Sequence, residues 1–116
     1  MLHLMATEAT RIAVYAGTFD SQPLVFAHLE DAMPGLDLGE VEVIMGDPRG
    51  RLAHHFETDL AQALEDALGL HTTCVLIFPE AVPEGRLLPD RSDRLTGLGV
   101  HRGVRHRPGP SGIAPE

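Results

Sequence analysis

Thr73-Cys74-Val75-Leu76-Ile77-Phe78 is the stretch on which the fold turns. Its residues are apolar or β-branched without alternation. A strand built from them has no wet side and belongs in the middle of a sheet, covered on both faces. Pro79 stops it, because proline brings no amide N–H to a ladder. Upstream, Gly69 stands where a glycine with positive φ closes a helix. The residues before it read as that helix. From about Leu52 to Leu68, the side chains Phe56, Leu60, Ala63, Leu64, Ala67 and Leu68 form an apolar stripe, with Glu57, Asp59, Glu65 and Asp66 on other faces.

Further toward the N-terminus, Glu40-Val41-Glu42-Val43-Ile44-Met45 opens with strict alternation. Val41, Val43 and Met45 share one face and Glu40, Glu42 and Ile44 the other, the pattern of a strand half exposed to water at a sheet edge. Gly46-Asp47-Pro48-Arg49-Gly50 then reads as a loop. Arg11 to Ala16 is a short, partly β-branched strand closed by Gly17, and Thr18, Asp20 and Ser21 offer N-caps for a helix over Gln22 to Met33. Leu24, Val25, His28, Leu29, Ala32 and Met33 make its apolar face, Pro23 is tolerated in the first turn, and Pro34-Gly35 ends it. The order is β-α-β-α-β within about 70 residues, which predicts a small α/β domain. Strand direction is not readable from spacing, so an α+β arrangement stays open. We expect two layers, with a sheet of three to four strands carrying two helices. Residues 86–88 or a second copy of the chain would supply the fourth partner.

Charge divides the chain. Residues 1–85 hold three arginines against fourteen carboxylates, a net of −11, and residues 86–116 hold six arginines against three carboxylates, a net of +3. All nine basic side chains are arginine, which fits a bias toward GC-rich codons as well as any selection for guanidinium. The compact domain is expected over residues 1–85. Beyond it, prolines and glycines mix with unpatterned apolar residues, and a tail of this kind, residues 86–116, is predicted to be largely disordered. Cys74 is the single cysteine, which excludes an internal disulfide, and its apolar neighbours make it a small buried hydrophobe. No apolar run approaches the ~20 residues of a membrane span. Met1 to Ala6 is too short and too poor in positive charge for a secretory signal, so the cytoplasm is the expected compartment.

Catalytic patterns are incomplete. Val14-Tyr15-Ala16-Gly17-Thr18-Phe19-Asp20, with His28 further on, resembles the opening of the phosphopantetheine adenylyltransferases and related nucleotidylyltransferases. In that family a Gly-Thr-Phe-Asp turn precedes a helix with a His-x-Gly-His signature that holds nucleotide phosphates. The likeness ends quickly: Pro23 stands at the first histidine position, the glycine is missing, and His28 lies two residues too far on. His54 and His55 are adjacent, so a regular helix cannot aim both at one metal, and they read as solvated residues of a helix start. Ser21, Ser92 and Ser111 lie in turns or the tail, outside any Gly-x-Ser-x-Gly elbow. No catalytic, metal or cofactor role is assigned.

The carboxylates are the stronger signal. The stretch from Ile12 to Val82 resembles the immunity proteins of bacterial polymorphic-toxin systems, specifically immunity protein family twenty-two. The likeness lies in the strand closing in Gly17-Thr18-Phe19, the link Asp20-Ser21, the helix bearing Glu30 and Asp31, the loop and second helix, and Val75-Leu76-Ile77-Phe78-Pro79-Glu80. It departs in the placement of Tyr15 and in the shortened acidic segment Gly39-Glu40-Val41-Glu42. The resemblance implies an inhibitor that binds a cognate toxin domain, and an acidic inhibitor suits a basic cleft. Charge alone points the same way: an acidic body attracts basic protein partners and is repelled by nucleic-acid phosphates. The expected contact residues are Glu30, Asp31, Glu40, Glu42, Glu57 and Asp59. Two other readings stand beside this one: a nucleotidylyltransferase-like enzyme using Thr18 and His28, and a ligand-free module whose bare sheet face is covered in a homodimer.

Overall fold

A computed structural model describes residues 5–46 and 51–108. Strand β1 is Met5–Gly17, helix α1 Gln22–Ala32, strand β2 Val41–Met45, helix α2 Thr58–Leu68, strand β3 Thr73–Ile77 and strand β4 Leu95–Pro108. Short 3-10 turns lie at Leu38–Glu40, Leu52–His54 and Pro79–Ala81. One sheet takes all four strands in the order β2-β3-β1-β4, and every pairing is antiparallel. The class is therefore α+β. Two antiparallel steps leave β1 and β2 running the same way with β3 between them, so α1 crosses over one strand while α2 joins immediate neighbours.

β3 is central and buried at all five positions, as its lack of alternation predicts. β2 lies at an edge. The layer count differs from the expectation. Cys74 and Leu76 of β3 join Ile12, Val14, Ala16 and Ile44 under Leu64 and Leu68 of α2, while Val75 and Ile77 join Ala13, Tyr15 and Val43 under Val25 and Leu29 of α1. Each face carries one helix, and the sheet is the middle of three layers. A strand apolar on both sides needs a cover on each, so two layers could never have satisfied β3. α2 is also shorter than its stripe suggests: Leu52–His54 forms a separate 3-10 turn, and the helix starts at Thr58.

The larger correction is at the C-terminal side. Residues 95–108 are not a disordered tail but β4, paired with β1 along its whole length from Gly17↔Leu95 to Met5↔Pro108. This strand, and not residues 86–88 or a second copy, completes the sheet. The segment leading into it also belongs to the body: Tyr15 Oη donates to Pro89 O at 2.6 Å, Arg94 Nη2 donates to Thr18 O at 3.0 Å, and Leu95 is buried. Residues 109–116 lie outside the described residues. A bulge between Val14 and Tyr15 takes up the extra residue in β4, with Gly99 at φ 99°. Gly103 lets the 51–57 segment close onto β4. A Cβ there would lie 2.5 Å from His55 O, the same oxygen that accepts the Val104 N–H at 2.7 Å.

β1 and β4 are far longer than their neighbours. β3 pairs only with residues 13–17 of β1, so residues 5–12 of β1 and the facing half of β4 run on as a two-stranded ribbon. The sheet thus has an upper end, where β1 reaches Gly17 and β3 begins. At its lower end β2 begins, β3 finishes and the ribbon departs.

Candidate functional site

The topology brings the six expected contact residues to that lower end. Glu30 and Asp31 sit in the last turn of α1, Glu40 and Glu42 where β2 begins, and Glu57 and Asp59 at the start of α2 beside the ribbon. Glu80, after β3, joins them. They do not share one face, because α1 and α2 lie on opposite sides of the sheet. Glu30, Asp31, Glu57 and Asp59 are exposed, and no ion pair engages them among the described residues. Glu30 and Asp31 also occupy the negative end of a helix with no basic residue in its last turn. That placement costs stability and deepens the local negative potential.

Glu40 and Glu42 are different, for this chain's own cations already hold them. Arg105 of β4 reaches under the ribbon and meets Glu40 Oε1 through Nη2 and Glu80 Oε1 through Nη1, the latter at 3.0 Å. Its guanidinium lies 4.3 Å from the centroid of the Phe78 ring. Glu40 Oε1 is shielded from solvent and receives no hydrogen bond of ordinary geometry among the described residues. His55 Nε2 stands 3.2 Å from Glu42 Oε1, and its Nδ1 lies 2.9 Å from Val104 O. Both ring nitrogens thus face acceptors, an arrangement satisfied when both carry protons. The hydrogen bond to Glu42 raises the His55 pKa, against desolvation that lowers it and with help from the Val104 carbonyl. The same bond holds the Glu42 carboxyl below its usual range. His55 is buried, against the expectation of a solvated helix start, because the 3-10 turn tucks it over Phe78. Beside this cluster opens a cleft of about 330 Å³ lined by Glu40, Glu42, His55, Phe78 and Arg105 among others.

Thr18 and His28, the residues of the nucleotidylyltransferase-like reading, are each hydrogen-bonded within the chain. Thr18 Oγ1 pairs with His71 Nδ1 at 3.0 Å, while His28 Nε2 takes Ser92 Oγ at 2.6 Å and packs against Phe19. Among the described residues no group of three or more His, Cys, Asp or Glu side chains is placed to hold a metal. No helix among them is long and apolar enough to cross a membrane.

Sequence reasoning located the acidic residues but missed Arg105 and Glu80. The sign of Arg105 is visible in the sequence, but the strand that carries it has the composition of a tail. No protein family, curated protein or solved structure matches the chain.

Proposed function

We propose that this chain is a non-catalytic binding protein whose acidic lower end engages a basic protein partner. The observation that carries the reading is the gathering at one end of the sheet of four exposed carboxylates, Glu30, Asp31, Glu57 and Asp59, without paired cations among the described residues. Uncompensated charge at one end speeds encounter with an opposite charge and discriminates against like-charged surfaces. The resemblance to immunity proteins makes a cognate toxin domain the partner class and inhibition the outcome. Arg105 neutralises Glu40 internally, and His55 does the same for Glu42 when protonated, so these two act in shaping the end more than in first attraction.

The test uses any toxin-like domain encoded beside this chain's gene. Association should be fast and should slow as salt rises, since exposed charges are screened over about 8 Å at physiological ionic strength. The double variant Glu57→Lys/Asp59→Lys should lower the association rate about tenfold or more at low salt and flatten its salt dependence. The unfolding temperature should fall by only a few degrees, the cost of placing positive charge at the N-terminal end of α2. Association that ignores both salt and charge reversal rejects the acidic end as the interface. The lack of any toxin-like neighbouring product that this chain inhibits rejects the inhibitory role.

A further inference from the structure

The sheet ends differently on its two sides. At β4 the chain covers its own edge: the outward N–H groups of Gly97 and Val104 donate to Asp90 O and His55 O, both at 2.7 Å. At β2 no such cover is present among the described residues. Phe78 N–H donates to Glu40 O, so the backbone groups turned toward β3 are those of Glu40, Glu42 and Ile44. Alternation then turns the N–H and C=O of Val41, Val43 and Met45 outward. Leu38 O takes the Val41 N–H. The Val41 C=O and both groups of Val43 and Met45 have no partner among the described residues. Sheets guard an open edge with bulges, prolines or charge. β2 pairs with β3 in unbroken register and contains no proline, and Glu42 is its one charged residue. The cleft of about 330 Å³ follows this edge. It is lined from both faces of the sheet, by Gln22 of α1 on one side and by His55, Phe78 and Arg105 on the other, with residues 39–43 between.

Side chains along the edge select its occupant. Val41, Val43 and Met45 carry the apolar layer under α1 out to the rim. On the other face Glu42 is partly exposed, and a carboxylate bonded to an imidazole through one oxygen still offers acceptor sites. A strand added antiparallel, like every pair already in this sheet, would set one row of its side chains beside the valines and the other beside Glu42. A second copy is disfavoured. Pairing about a two-fold at Glu42 opposes that glutamate to itself, and pairing about Val41 opposes Glu40 to Glu42. At any register the net charge of −8 repels copies from one another and attracts a basic protein.

We propose that the free edge of β2 receives an extended segment of a basic protein as an added antiparallel strand, with apolar residues opposite Val41, Val43 and Met45 and a basic residue opposite Glu42. The partner's basic character rests on the function proposed above. The main chain supplies the hydrogen bonds, and the alternation of the incoming side chains supplies the selectivity.

The experiment adds the peptide acetyl-Lys-Val-Lys-Val-Lys-Val-Lys-amide to the wild-type protein at about 1 mM and low salt. Hydrogen exchange at the Val43 and Met45 amides should slow about tenfold, while the Glu42 and Ile44 amides, already turned toward β3, stay as they were. In the antiparallel pairing the peptide's valine amides face β2 and its lysine amides face water. N-methylation of the valine amides should therefore weaken binding about tenfold or more, and N-methylation of the lysine amides should leave it unchanged. The glutamate counterpart, acetyl-Glu-Val-Glu-Val-Glu-Val-Glu-amide, should protect neither amide. Equal binding by the two methylated peptides overturns the proposal and leaves the acidic end attracting partners by charge alone. Protection of Val43 and Met45 that rises with protein concentration, without peptide, overturns it in favour of a second copy. Binding in the expected pattern while no toxin-like domain associates upholds the edge and removes the toxin reading.

Discussion

Gly103→Ala tests the closure that makes β4 part of the fold. The added methyl would meet His55 O at 2.5 Å and the Ile12 Cδ1 and Phe56 Cδ1 atoms at 3.0 Å each. The two carbons can shift by a few tenths of an ångström, but the oxygen is backbone and is fixed by the Val104 N–H at 2.7 Å. Overpacking of this kind costs about 1–3 kcal/mol. Displacing the carbonyl forfeits a hydrogen bond worth about 1 kcal/mol. Restricting the unfolded chain returns about 0.4–1 kcal/mol. The net loss is about 2 kcal/mol, which for a domain near this size lowers the unfolding midpoint by roughly 8–16 °C. Circular dichroism measures the midpoint, and hydrogen exchange at the Val104 amide reports the local bond. A variant that melts within about 2 °C of wild type and keeps the Val104 amide protected would falsify the seating of the 51–57 segment on β4.

Titration of His55 and Glu42 should shape stability against pH. The folded His55 pKa lies above its ordinary 6.5, so its contribution is complete below that value and is lost as pH rises through the folded pKa. The folded Glu42 pKa lies below its ordinary 4.5, so its contribution is present above that value and is lost as pH falls through the folded one. The pair stabilises most between the two, and His55→Gln should remove the decline of the unfolding midpoint on the alkaline side, read from melts over about pH 5–9. An unchanged alkaline decline in that variant places the titrating group elsewhere. Burial, and next the charge of Glu42, push the Cys74 thiol up to about 12. A thiol reagent at about pH 8 should therefore label the native protein at its unfolding rate and the denatured protein at once. Prompt labelling without denaturant contradicts the burial of β3.

Periodicity carried the reading as far as its signals were local. The alternation of Val41, Val43 and Met45 against Glu40, Glu42 and Ile44 located β2 and its edge position, and the unbroken apolar run located β3 at the centre. β4 was invisible for a physical reason. Its glycines look like tail residues, yet Gly103 is there because a backbone oxygen occupies the space a side chain would need. Its charge looks unpatterned because Arg105 finds Glu40 and Glu80 on turns far from it along the chain. The candidate site was half legible for the same cause. Carboxylates can be counted in a sequence, but which end of a sheet collects them follows from strand order.

That order also sets a schedule for synthesis. β1 emerges from the ribosome before β2 and β3, and one of its two neighbours, β4, follows both of them. Until β4 appears, the nascent chain holds an apolar strand with a long naked border and cannot complete its sheet. Pairing across so much intervening chain is slow, since loop closure must precede the contacts that reward it. The growing polypeptide should therefore depend on chaperones, and a message cut short before β4 should yield material that is degraded or aggregates, not a smaller folded protein.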